Sequence, residues 1–218
     1  MKVTLEMIKS DPAIQTYIKA ADASLLALGY TEHSFAHVNK VLDNAARILR
    51  HLNYDDDTVE LAMIAGYMHD IGNLVNRSEH SQSGAVMAFR ILDKLGMDPE
   101  DIATVVTAIG NHDEGTGVPV NAVSAALILA DKTDVRRTRV RNIDTLAFDI
   151  HDRVNYSVTD SALDLVGDVV RLSLTIDTEI GSIIDYFEIF LSRMTMCTHA
   201  ARKLGLNFKL SINGQSFI

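Results

Sequence analysis

Four histidines and two aspartates form the pattern in this sequence that is best suited to chemistry. They occur in the order His, His-Asp, His, His, Asp, at His37, His69, Asp70, His80, His112 and Asp131. Imidazole and carboxylate together suit zinc, iron, manganese, cobalt or nickel. One histidine with its neighbouring aspartate could hold a single ion, whereas six ligands indicate two divalent transition-metal ions.

The adjacent pair His69-Asp70 ends an otherwise apolar run, in the stretch "GYMHDIGN". Burying even a neutral polar group without a partner costs roughly 2–7 kcal/mol, so such a pair needs compensation, which a metal ion provides. The same reasoning applies to Asp131, which ends the apolar run "AALILAD". Both positions are therefore predicted to be metal ligands.

Two such ions define a specific reaction class. Cations about 3.5–4 Å apart can lower the pKa of a bound water and hold a phosphoryl oxygen for in-line attack. Asp70 is predicted to bridge the two ions and a metal-bound hydroxide to be the nucleophile. A serine or cysteine nucleophile is then not required.

The stretch from about His37 to Arg137 resembles the HD superfamily of metal-dependent phosphohydrolases, in which "HDIG" is a frequent form of the central signature. The segments "HSQSGAVMA", "AIGNHDEG" and "LADKTDVRR" look like those of bacterial HD hydrolases that split dinucleoside tetraphosphates symmetrically. In that subfamily both additional histidines serve a dinuclear iron site. The resemblance implies His80 and His112 as ligands of a second metal, with iron or manganese favoured.

The HD-GYP cyclic-di-GMP phosphodiesterases are more distantly similar. Their paired histidine corresponds to Asn111-His112 here, and their GYP becomes "GVP". Both subfamilies usually carry a lysine three residues after the HD aspartate, where this chain has Asn73. We therefore place Asn73 at the substrate side, with Arg77 from the adjoining loop as the residue that could replace the lysine.

Further residues are candidates for substrate contact. The segment "ADKTDVRRTRVR" is a basic cluster, and its residues Lys132 and Arg136 are the first candidates for binding phosphate. A solvated helix face is the alternative for this cluster. Asn111 and Asp113 flank His112 and could orient its surroundings or the substrate.

The remaining four histidines lie outside the proposed set of metal ligands. His33 lies one helical turn before His37 and could protonate a leaving alkoxide or hold a third ion. The second His-Asp pair, His151-Asp152, lies outside any patterned helix and is predicted to be a surface or structural element. His51 is predicted to be a surface residue, and His199, in the late helix, likewise has no partners in the pattern.

Composition excludes several classes of function. The net charge of −9 argues against broad binding to nucleic acid or to an anionic membrane. A single cysteine, Cys197, allows neither an intrachain disulfide nor a thiolate zinc site. The start of the chain has no apolar signal region, and no stretch is long and apolar enough to span a bilayer, so we expect a cytoplasmic protein.

The predicted fold is mainly α, an HD-domain helical core over residues 1–149 with a small C-terminal α+β unit over residues 150–218. Caps and apolar periodicity predict six helices, over residues 13–29, 32–52, 58–70, 79–96, 100–115 and 122–137. Thr31 is predicted to cap the second of these helices and Ser78 the fourth. Strands are predicted at 168–177 and 207–213, around a long helix. The unit could cover the site, form a homodimer or select the substrate.

Three functions remain open at this stage. The first is a dinuclear phosphohydrolase that cleaves a phosphoester or phosphoanhydride bond, with a nucleotide or another phosphorylated small molecule as the expected substrate. The second is a non-catalytic HD module that binds a nucleotide signal or a protein partner. The third is oxygenase chemistry, because mixed-valent iron sites occur on HD scaffolds.

Overall fold

The computed structural model describes residues 2–141, 143–145 and 149–218, and these form nine α-helices and four β-strands. The helices are α1 Leu5–Ser10, α2 Pro12–Ala27, α3 Phe35–His51, α4 Asp56–Met68, α5 His80–Lys94, α6 Pro99–Gly110, α7 Ala122–Lys132, α8 Ile150–Ser157 and α9 Ile183–Lys203. The strands are β1 Val158–Val166, β2 Val169–Ile176, β3 Asn207–Ile212 and β4 Gln215–Ser216. The predicted mainly α fold with a small C-terminal α+β unit is confirmed.

The helix starts follow local sequence. Asp11 caps α2 and Asp98 caps α6, each followed by a proline in the first turn. Asn121 forms a reciprocal capping box with Ser124 at the start of α7. The six predicted helices correspond to α2–α7 and are confirmed as elements.

Two predicted helix starts were wrong. The cap of α3 is Ser34, whose hydroxyl accepts from the backbone of Ala36, and not Thr31. Helix α5 starts at His80 after Glu79, which has a left-handed backbone with φ 57° and makes no side-chain cap, so Ser78 does not cap it. The left-handed residue turns the chain sharply into α5, which places His80 at the first helical position.

Helix α7 lies at the centre of the molecule. Its residues Leu127, Ile128 and Leu129 are fully buried, and the helix contacts α3, α4, α6 and α9. A helix that is apolar on all sides belongs in an interior of this kind. Asp131, near the end of α7, is thereby held in the interior as well.

The C-terminal sheet has the order β1-β2-β3-β4. Strand β2 is antiparallel to β1 and parallel to β3, with Leu172 opposite Leu210, and α9 is the crossover between β2 and β3. The two predicted strands are confirmed as β2 and β3, and β1 and β4 raise the number to four. Buried apolar residues from Val3 to Ile212 belong to one cluster. The predicted division of the chain into two units at residue 149 stays a prediction.

The second His-Asp pair, which no apolar pattern had assigned to a helix, lies in the short helix α8. Asp149 caps this short helix by accepting from the backbone amides of His151 and Asp152. Across the described residues, no helix combines the length and apolar character that a membrane span requires.

Candidate metal centre

Helix ends bring the six predicted ligands together. His37 lies in the first turn of α3, His80 opens α5, and Asp131 lies in the last turn of α7. His69 directly follows α4, and His112 comes two residues after the end of α6. A side chain at a helix end is held in place by a rigid element. The ends of these five helices therefore place the six side chains around one point.

One half of the centre combines His37, His69 and the two aspartates. The Nε2 atoms of His37 and His69 are 3.3 Å apart. Asp70 Oδ2 lies 3.1 Å from His69 Nε2 and 3.7 Å from His37 Nε2. Asp131 Oδ1 lies 3.3 Å from His37 Nε2 and 3.8 Å from His69 Nε2. These four side chains can surround a single cation.

The other half combines His80, His112 and the second oxygen of Asp70. The Nε2 atoms of the two histidines are 3.1 Å apart. Asp70 Oδ1 lies 3.5 Å from His80 Nε2 and 4.0 Å from His112 Nε2. The two oxygens of Asp70 therefore face two different pairs of histidines.

Hydrogen bonds on the far side of each ring fix the tautomers. His37 Nδ1 lies 2.7 Å from Asp134 Oδ2, and His69 Nδ1 lies 2.8 Å from the Gly66 carbonyl oxygen. His80 Nδ1 lies 3.1 Å from the Arg77 carbonyl oxygen, and His112 Nδ1 lies 2.6 Å from that of Ile109. A carbonyl or carboxylate oxygen only accepts, so each Nδ1 carries the proton and donates it. All four Nε2 lone pairs then point into the centre.

This donor set fits metal ions. Two unprotonated Nε2 atoms only 3.1–3.3 Å apart repel each other unless a cation or a proton lies between them. Burial lowers the pKa of His112 to about 3 and also lowers the pKa of His80. Both imidazoles are consequently neutral at neutral pH, the form that binds metal.

The carboxylates are held in their charged form. Burial alone would raise the pKa of Asp70, but the positive charge that the facing histidines gain on protonation, His69 foremost, holds that pKa well below its usual value. Burial acts to lower the pKa of His69, and the Asp70 carboxylate outweighs it, so that His69 Nε2 binds a cation or a proton readily. Burial likewise acts to raise the pKa of Asp131, and the Lys132 ammonium outweighs it and keeps the pKa well below the usual value. The buried Asp70 and the partly buried Asp131 are therefore available as anionic ligands.

Residues outside the ligand set orient it. Asp134, which accepts from His37, is itself held by Arg136 Nε at 2.8 Å. Lys132 Nζ lies 2.8 Å from Asp131 Oδ2 and 3.2 Å from Glu114 Oε2. Such partners fix the direction and basicity of metal ligands.

The family follows from comparison with known proteins. The family model of the HD domain matches residues 34–153, which is more than half of the chain. The chain belongs to the HD domain family. Its members are typically metal-dependent hydrolases that bind divalent metals, which agrees with the His and Asp clusters of this structure.

Individual relatives cover part of the chain. The uncharacterised protein MJ1020 of Methanocaldococcus jannaschii is 28% identical over 170 residues, which is 67% of this chain and 64% of the relative. The chain thus spans just under two thirds of that relative's length. A crystal structure of a predicted HD superfamily hydrolase from an uncultured Thermotogales bacterium overlaps 60% of this chain and 73% of its own, with a TM-score of 0.42 and 24% identity.

Beside the metal centre of this HD domain lies a cavity of about 340 Å³. His33, Asp70, His80, His112 and Asp131 line one side of it. Other lining residues come from several elements: Tyr30, Arg77, Lys132, Arg139, Asp149, His151, Asp152, Asn155, Phe190 and Arg193. The cavity therefore connects the predicted metal ligands to basic side chains and to the C-terminal helices.

The predicted substrate residues differ in their positions. Arg77 lines the cavity, with its guanidinium 5.7 Å from the centre of the Tyr30 ring. Lys132 also lines it but is buried between Asp131 and Glu114. Arg136 instead faces Asp134 and Glu32, on the far side of His37.

Three polar residues near the ligands do not line the cavity. The amide of Asn73 donates to Asp70 Oδ1 at 2.9 Å and to the Asp70 carbonyl at 3.0 Å. Asn111 donates to the Thr107 carbonyl at 2.9 Å, and Asp113 Oδ1 lies 4.0 Å from His80 Nε2. These three residues therefore contact the proposed metal ligands and the adjoining backbone.

Several site residues were not among the predicted candidates. Asp134 has a recognisable signal, because it follows Asp131 by three residues at a helix end and can reach the same site. Arg139 belongs to the basic cluster but follows its first candidates, Lys132 and Arg136, and Glu114 lies in the loop after His112. Arg193 lies far along the chain, and only the tertiary fold brings it to the cavity.

Proposed function

We propose that this protein is a metal-dependent phosphohydrolase that cleaves a phosphoester or phosphoanhydride bond in a small phosphorylated molecule, with nucleotides as the first class to test. One observation carries this proposal. Asp70 directs Oδ2 to the pair His37 and His69, and Oδ1 to the pair His80 and His112. A carboxylate that faces two imidazole pairs fits a bridge between two cations.

The proposed ligand sets divide accordingly. His37, His69, Asp70 and Asp131 would hold one divalent ion, and Asp70, His80 and His112 would hold the second. When bound, such ions supply a water of lowered pKa and positive charge beside the phosphoryl group. Iron or manganese is the proposed metal.

Other residues would act on the substrate directly. Arg77 lines the cavity and presents a guanidinium group, whose planar fork matches phosphate oxygens. His33 also lines the cavity, and its Nδ1 donates to the Thr31 carbonyl at 2.7 Å. That hydrogen bond places the ring proton on Nδ1 and leaves the Nε2 lone pair free, and burial holds the pKa of His33 well below its ordinary value. We therefore propose that His33 Nε2 accepts a hydrogen bond or a proton from a water or a substrate hydroxyl in the cavity.

The size of the cavity supports a compact substrate. Ligand pockets commonly measure roughly 300–1,000 Å³, and this one, at about 340 Å³, is near the lower limit. Residues of helices α8 and α9 line part of it. We therefore propose a mononucleotide or a smaller phosphate ester ahead of a dinucleoside polyphosphate.

Hydrolysis by metal-stripped and reloaded protein tests the proposal. p-Nitrophenyl phosphate, nucleoside monophosphates and a dinucleoside tetraphosphate are offered with iron or manganese, and released phosphate or nucleotide is measured. We expect metal-dependent turnover that Asp70→Asn abolishes and that Asp93→Asn, an exposed aspartate of α5, leaves unchanged. Equal turnover in Asp70→Asn and the wild type would contradict the proposal.

A further inference from the structure

The C-terminal helices contribute their own wall to the metal-site cavity. Phe190 and Arg193 of α9 line it, together with residues of α8. Helix α9 begins after residue 153, where the match to the HD domain ends. The side chains of α9 are therefore a feature that the family match does not account for.

Arg193 is held in a defined orientation at this wall. Its Nε lies 2.5 Å from Glu114 Oε1, and its guanidinium carbon is 4.5 Å from the centre of the buried Phe190 ring. Stacking on an aromatic ring together with a carboxylate contact at Nε limits the rotamers that the side chain can adopt. Its two terminal nitrogens form no hydrogen bond within the described part of the chain, so they remain for a ligand.

The other basic groups of the cavity are more fully engaged. Lys132 is paired with both Asp131 and Glu114. Arg139 is buried and donates to the backbone carbonyls of Glu32 and Asp134. Arg77 engages one terminal nitrogen, Nη1, which lies 3.4 Å from both Asn73 Oδ1 and His80 Nε2. Arg77 and Arg193 are thus the cavity arginines with the most donor capacity left for an anion, and they come from different parts of the fold.

We propose that Arg193 is a substrate-binding residue whose terminal guanidinium nitrogens bind phosphate oxygens of the substrate in this cavity. This inference rests on the proposed function, because it requires a phosphorylated ligand beside the metal centre. Arg193 then gives α9 a direct role in selecting the substrate. Arginine suits this role, since its planar fork binds phosphate in a bidentate manner.

Calorimetric titration of the metal-loaded full chain with inorganic phosphate tests the inference. The variants are Arg193→Gln and Arg193→Lys, with Arg202→Gln as the matched control, because Arg202 is an exposed arginine in the last turn of the same helix. We expect Arg193→Gln to weaken phosphate binding about 10- to 100-fold, as loss of a charge-assisted hydrogen bond does. Arg193→Lys should have an intermediate affinity, and Arg202→Gln should match the wild type.

Metal content and melting temperature are measured on each variant, and they should not change. Equal phosphate affinity of Arg193→Gln and the wild type would overturn the inference alone. Loss of metal together with phosphate binding in Arg193→Gln would also overturn it, because Arg193 would then act through Glu114, Lys132 and Asp131. If Arg193→Gln does not fold, an unchanged affinity in Arg193→Lys overturns it. A wild type that binds no phosphate would contradict the proposed function itself, and the inference with it.

Discussion

Asp134 Oδ2 accepts a hydrogen bond from His37 Nδ1 at 2.7 Å, and both side chains are shielded from solvent. The contact directs His37 Nε2 into the metal centre and makes this imidazole a stronger ligand. Asp134 lies three residues after Asp131, so one helix end supplies both a proposed ligand and the partner of another.

Asp134→Asn should therefore weaken metal binding. Loss of such a ligand partner typically reduces metal affinity about 10- to 100-fold. Competition with a chromogenic chelator measures this affinity in the variant and in Asp93→Asn, a surface control. Equal affinity in Asp134→Asn and the wild type would show that the His37 contact does not tune the metal.

Asn73→Ala should lower kcat more than it raises KM. Asn73 is buried, donates to Asp70 Oδ1 and does not line the cavity. Its removal disturbs the proposed bridging carboxylate, and we expect kcat to fall about tenfold or more. Steady-state kinetics separate the two effects. An increase in KM at constant kcat would instead support the direct substrate contact predicted from the sequence.

Gly72→Ala should destabilise the fold and displace His80. A Cβ at Gly72 would collide with the His80 carbonyl and the Gly84 amide, because the turn after Asp70 packs directly on α5. We expect a loss of about 3 kcal/mol or more in the free energy of unfolding. Gly110→Ala is the matched control, since its Cβ would lie 3.5 Å from Ala85 Cβ, an ordinary contact. Urea unfolding that gives the same stability for both variants would contradict this account.

The Cys197 thiol should be inert in the native protein. It is fully buried, and burial raises its pKa above the ordinary value of 9.0. Ellman's reagent should modify the native chain at least about 100-fold more slowly than the unfolded chain.

The raised pKa of Cys197 also predicts that the stability of the fold depends on pH. The unfolded thiol ionises near its ordinary pKa while the native thiol stays protonated, so this contribution to stability is present below about pH 9 and lost above it. Thermal unfolding of the wild type and Cys197→Ala across pH 8 to 10 measures the difference. Fast native labelling, or the same pH slope in both proteins, would contradict the buried-thiol assignment.

The helical part of the fold was predictable because its signals are local. Asp11-Pro12, Asp98-Pro99 and the cap at Asn121 mark helix starts, and apolar periodicity marks the buried faces. Strand β1 was missed since all but one of its side chains are exposed or half-buried and its pairing with β2 is a tertiary contact. Helix α8 is short, and its cap at Asp149 was not recognised.

The site was predictable only in part. The proposed ligands could be located because a polar residue at the end of an apolar helix needs a partner, as Asp70 and Asp131 do. Spacing does not reveal which way a side chain points, so it could not show that Arg136 faces Asp134 and Glu32 and does not line the cavity. Arg193 reaches the cavity only because α9 packs against α7, and no local pattern encodes that contact.

The central claim is that Asp70 joins two metal sites, and metal content per chain tests it most directly. The protein is purified without chelator or an affinity-tag metal, and wild type, Asp70→Ala and His80→Ala are measured by plasma mass spectrometry. We predict about two transition-metal ions per wild-type chain, about one in His80→Ala and almost none in Asp70→Ala. One ion in the wild type, or full occupancy in Asp70→Ala, would contradict the account.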